Sequence, residues 1–223
     1  MVDVVRRRGV RGRGGADRLQ PLGDVAAQYA SMGWPVCLGE HPYQGTRAAM
    51  EPGRACSCDR VGCPAPSAHP ISAAWQMQAT VDLNVIQSWW ETRPEANVIL
   101  VTGRVFDVLD VPAAAGAAAL GQMEAAQVPV GPVAVLGQDR MLFFVVTRGS
   151  PADEDEWWSS GLDCEPESVV VGLRWHCRDS YVLAPPSRDA AGQAARWLRS
   201  PQEHPLPDAL RLLEYLVDAC EAP

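Results

Sequence analysis

Residues 56–70, CSCDRVGCPAPSAHP, bring three cysteines and a histidine into fifteen positions of a chain with only seven cysteines and four histidines. Thiolate and imidazole are the donors zinc prefers, and a closed structural site takes four of them. Cys56, Cys58, Cys63 and His69 supply such a Cys3His set, spaced C-x-C-x4-C-x5-H. The spacing is not the common paired C-x2-C knuckle, so a metal-free cysteine-rich loop stays open as the alternative. A cluster of exposed free thiols would be a redox liability, which favours the metal. A zinc deaminase is excluded, because it needs H-x-E with P-C-x-x-C and neither occurs.

Other candidate chemistry is thinner. There is no Ser-His-Asp signature, phosphate-cradling P-loop or dinucleotide fingerprint; VTGRVFDVLD carries a single glycine. Asp107 and Asp110 lie three apart in a strand-like run, and an odd offset puts them on opposite faces. Arg174 and His176 would share a strand face, an arrangement that suits an anion; a solvated histidine at a strand end is the ordinary alternative. The tryptophan pairs 89–90 and 157–158 could stack on bases. At helical spacing, one of each pair would instead enter the core and the other stay partly exposed.

These residues need elements to position them. Helical spacing starts at Leu22, and WPVCL follows as a short strand. The zinc-loop segment, 52–70, is proline-rich and loop-like. Asp82 caps a helix over LNVIQSWWET, which stops before Pro94. NVILVTG and VFDVLDV read as buried strands separated by a Gly-Arg turn. Pro112 opens an alanine-rich helix reaching about Gln127. PVAVLG and MLFFVVT flank a polar turn as a hairpin would, and SVVVGLRW with YVLAPP forms a second expected hairpin. DALRLLEYLVDAC is amphipathic and helical. Interleaved elements with hairpins in the second half predict an α+β fold with a mixed or antiparallel sheet.

Composition bounds the partners. The 223 residues suffice for one large domain with a core. No apolar run is long enough to cross a bilayer, and the N-terminus lacks the apolar stretch of a signal peptide. The odd cysteine number and cramped spacing predict reduced thiols and a cytoplasmic protein. All 19 basic residues are arginine. Six of them fall in residues 1–18 against Asp3 and Asp17, a balance of +4; the other 13 face 25 acids, leaving −12. Such a body repels a phosphate backbone, so any nucleic-acid site must be a local patch. Residues 1–20 form an Arg/Gly-rich tail expected to be disordered, either inert or binding nucleic acid or an acidic partner.

With CSCDRVGCPAPSAHP beside ATVDLNVIQSWWETRPEANVILVTG and YVLAPPS, the chain resembles the N-terminal domain of bifunctional DNA primase/polymerases, the prim-pol branch of the archaeo-eukaryotic primase superfamily. The likeness runs over roughly residues 24–198, with several motifs in order. It implies a two-layer prim-pol-like domain over 21–203 with flanking helices, to which the amphipathic pattern adds a C-terminal helix over 204–223. It also implies zinc on Cys56, Cys58, Cys63 and His69. The resemblance further implies carboxylates holding Mg or Mn for nucleotide transfer, but here the pattern breaks. Asp110 matches the first acid of an Asp-x-Asp pair, and Pro112 stands in place of the second. Met141 stands where a histidine would contact the triphosphate, with Arg140 beside it, and Arg174 takes the place of the last acid.

The expectation is therefore a prim-pol-like domain with degenerate catalysis. Asp110 is the one retained acid, Arg140 and Arg174 are candidate phosphate contacts, and single-stranded DNA or nucleotide is the candidate ligand. Two alternatives remain. An active primase/polymerase could rebuild its metal site from Asp107, Asp110, Asp139, Asp163 or Asp179. A regulatory module could instead bind a protein partner and no nucleic acid. Clustered acids around Asp110 would mark the first, and a basic groove beside the zinc loop would argue against the second.

Overall fold

The computed structural model describes residues 20–43, 56–147 and 170–222. The arginine-rich tail, the Trp157–Trp158 pair and Asp163 lie outside them. Helix α1, Leu22–Ser31, buries Val25, Ala26, Tyr29 and Ala30 along one stripe. It leads into β1, Val36–Gly39. After the cysteine loop come a one-turn helix α2, Trp75–Gln78, and α3, Leu83–Thr92. Asp82 caps α3 by accepting from the backbone N–H groups of Asn84 (2.8 Å) and Val85. Trp90 is buried and Trp89 half-buried, as helical spacing requires of adjacent residues.

Strands β2, Asn97–Val101, and β3, Phe106–Pro112, follow. Pro112 both ends β3 and occupies the N-cap of α4, Ala113–Ala125, one position before the first-turn place expected of it. Strands β4, Val133–Leu136, and β5, Arg140–Val146, form the expected hairpin. The last elements are β6 (Arg174–His176), β7 (Tyr181–Leu183), β8 (Arg196–Arg199) and α5 (Ala209–Glu221), which Asp208 caps.

The strands divide between two antiparallel sheets, ordered β1-β2-β7 and β6-β3-β5-β4-β8. The fold is α+β, with five helices among the described residues. One expected hairpin is corrected: β6 and β7 do not pair. The chain turns at Cys177–Ser180 and crosses, β6 joining β3 and β7 joining β2. Strand β8 and helix α2 are too short to have shown in the sequence pattern.

The core explains the layering. Phe106, Val108, Leu142 and Phe144, from one face of the larger sheet, pack with Val98 and Leu100 of the smaller sheet and with Ile86 and Trp90 of α3. The opposite face of the larger sheet, with Leu109, Val111, Met141 and Phe143, is covered by α4 and α5 through Ala119, Met123, Leu212 and Leu216. The outer face of the smaller sheet carries Cys37, Ile99, Val101 and Leu183, roofed by Ala68 of the cysteine loop and Trp75 of α2. No described helix is long and apolar enough to cross a membrane.

Candidate functional site

The cysteine loop folds onto the edge of β1. Isolated bridges join Pro42 to Cys56 and Gly39 to Pro70, closing the loop at both ends. Ser57 fastens it further: its N–H donates to the His41 carbonyl, its hydroxyl accepts from the His41 N–H at 2.9 Å, and it also donates to the Glu40 carboxylate. Backbone at positive φ at Asp59, Gly62 and Ser67 turns the chain tightly enough to aim all four candidate donors inward.

Their donor atoms all lie within 4.8 Å of one another. Cys56 Sγ is 3.5 Å from His69 Nε2. Donors at tetrahedral zinc distances lie about 3.4–3.8 Å apart, so the set is close to the size of one ion. His69 Nδ1 sits 2.9 Å from the Pro70 carbonyl, which fixes the ring and points Nε2 at the thiols. The Ser67 N–H donates to Cys56 Sγ at 3.2 Å. Burial raises the Cys56 thiol pKa above its ordinary value. Cys58 feels burial too, yet hydrogen bonds from the Arg60 backbone, His69, Cys56 and Cys63 bring it below the ordinary thiol. The four residues fit a metal ion, and among the described residues no other group of three or more such side chains converges.

The second site lies on the larger sheet. Cross-strand partners point to the same face, and the register places Leu142 and Arg174 across from Asp110, Arg140 across from Pro112, and His176 across from Val108. Asp110, Arg140, Arg174 and His176 therefore share the inner face, near the end of β3. Asp110 is only 6% exposed. Arg140 donates from Nε to Asp110 Oδ1 at 2.7 Å, and from Nη2 to the carbonyls of Asp110 (3.1 Å) and Gly172 (2.9 Å). His176 Nε2 lies 3.4 Å from Asp110 Oδ2, and its Nδ1 is 2.9 Å from the Ser180 hydroxyl. The carboxylate is thus held between a guanidinium and an imidazole.

The remaining acids lie elsewhere. Asp107 faces the other layer, where the Trp175 indole donates to it at 3.3 Å. Asp139 is exposed in the β4–β5 turn, and Asp179 is exposed in the β6–β7 turn beside Arg178. Met141 lies on the other side of the sheet. It is buried on the far face against Gly116, where an added Cβ would meet it at 2.8 Å. Arg140, not Met141, is the β5 residue that faces Asp110. The contact of His176 with Asp110 was not visible in the sequence, because it depends on β6 pairing beside β3.

A family model for the N-terminal domain of bifunctional DNA primase/polymerases matches residues 26–209. The chain belongs to the prim-pol family. No curated protein matches it. The prim-pol match spans the cysteine loop, both sheets and α3, so both sites described above lie within the family domain.

Proposed function

We propose that this prim-pol domain does not transfer nucleotides, that zinc closes its Cys3His loop, and that it retains binding of nucleotide or single-stranded DNA. One observation carries the reading: the Arg140 guanidinium sits on Asp110 Oδ1 at 2.7 Å. Two-metal transfer needs carboxylates converging on the ions, which activate the attacking hydroxyl and take up charge on the leaving pyrophosphate. Here the one acid at the family position is neutralised from within. A cation about 4 Å from a divalent ion would repel it by several kcal/mol even with an effective dielectric of about 20. Pro112 offers no ligand, and Arg174 adds a second permanent charge on the same face. The residues present do not fit the family's catalytic metals.

Zinc is the metal of choice for the loop because a Cys3His set is soft and closed, leaving no open position for substrate. Its role would be to hold the loop as the roof of the smaller sheet. Manganese titration followed by the resonance of the free aqueous ion tests the reading. With the thiol site loaded with zinc, the protein should leave millimolar manganese free. A manganese site that disappears in Asp110→Ala would refute it.

A further inference from the structure

Beside the cysteine loop lies a groove of about 620 Å³, within the usual 300–1,000 Å³ of small-ligand sites. Its walls are built from Ile71 after the loop, Trp75 of α2, Leu38 of β1 and Trp89 of α3. Each indole is anchored on one side. Trp75 meets Tyr181 edge-on at 5.1 Å, and Trp89 packs against the core between the two sheets. Both rings still line the open groove, half-buried.

The polar lining is selective. Ser72, Gln78, Thr80, Ser88 and Thr92 are its uncharged polar lining residues, and Arg93 is its one charged residue. No aspartate or glutamate lines it, in a chain where acids outnumber arginines 27 to 19. Two other grooves differ: one includes Asp24 and Glu91, the other Glu95. Aromatic walls, small polar side chains and a lone guanidinium match a planar base attached to a phosphate. A chain of contacts links the groove's wall to the Asp110 site: Trp75 meets Tyr181, and Ser180 next to it contacts His176, which faces Asp110.

We propose that this groove is a nucleotide-binding subsite, with a base stacked on Trp89 or Trp75 and its phosphate near Arg93. The proposal rests on the reading that the domain binds nucleotide or single-stranded DNA, and it says where. The shared chemistry is a nucleobase with phosphate, supplied free or within a strand.

The test uses the full chain with zinc bound, and measures binding of a fluorescein-labelled dT12 by anisotropy and of dTTP by tryptophan quenching, both without other divalent ions. Three variants probe the groove. Trp89→Leu should weaken binding roughly tenfold or more, the range of a lost stacking contact. Ser88→Glu, at an exposed position, should weaken it comparably while leaving the thermal midpoint unchanged, which covers the chance that Trp89→Leu loosens the fold. Arg93→Gln should lower the salt dependence for dT12 by about 0.7 in the log–log slope, one phosphate contact on a single strand. Sensitivity of dTTP binding to the same changes assigns the groove to a free nucleotide; sensitivity of dT12 alone assigns it to a strand. Wild-type binding of dT12 that all three variants share unchanged overturns the subsite and leaves the broader reading standing. Binding of neither ligand by the wild type overturns both.

Discussion

Asp110→Ala separates a structural ion pair from a retained metal site. In a metal site, carboxylates and ion-ready donors are held against their own preference, so removing one in metal-free buffer is neutral or stabilising. In this chain Asp110 satisfies Arg140 Nε directly and neighbours His176 Nε2. Truncating one partner of a buried ion pair costs about 3–5 kcal/mol. The Arg140 and His176 side chains are 25% and 22% exposed, so water recovers part of that loss. Arg140 also keeps its bonds to the Asp110 and Gly172 carbonyls. A net loss of about 2–3 kcal/mol follows, or about 5–10 °C in thermal midpoint for a domain of this size. Urea unfolding with the thiol site zinc-loaded and other divalent ions removed measures it. Arg140→Met should cost a similar amount, and the double variant should show about 1–2 kcal/mol of coupling. An Asp110→Ala protein as stable as the wild type, or more so, would refute the pairing as the reason this carboxylate is kept.

Two further predictions concern the surrounding scaffold. Purified protein should carry about one zinc per chain, the stoichiometry of a single Cys3His site; Cys58→Ser should lower both zinc content and thermal midpoint, since binding and loop folding are coupled. Full stability after complete chelation would count against that. Gly103 has φ +80°, and an added Cβ would run into the Arg178 backbone, so Gly103→Ala should displace the β6–β7 turn and cost about 1–3 kcal/mol of strain. An unfolding midpoint unchanged from wild type would show that the turn yields freely.

Local signals were well written in the chain. Asp82 before an apolar period marks the start of α3, and Pro94 marks its end. The convergence of Cys56, Cys58, Cys63 and His69 was readable because all four donors lie within one loop. What the sequence hid was non-local. Strand β5 is buried on both faces from Met141 to Val145, so no polar alternation tells which residues face Asp110, and that Arg140 pairs with it shows only in the strand register. Strands β6 and β7 look like a hairpin, yet Gly103 and the 177–180 turn send them to different sheets. The His176–Asp110 contact and the Trp75–Trp89 groove follow from that crossing and from the loop's docking, which no short-range period encodes.

The most direct measurement is template-dependent nucleotide incorporation by the full chain, on primed and unprimed single strands, with magnesium and then with manganese. The ion pair on Asp110 and the absence of converging acids among the described residues predict no extension and no primer synthesis under either ion. Incorporation by the wild-type protein that vanishes in Asp110→Ala would contradict that account and restore the domain as a polymerase.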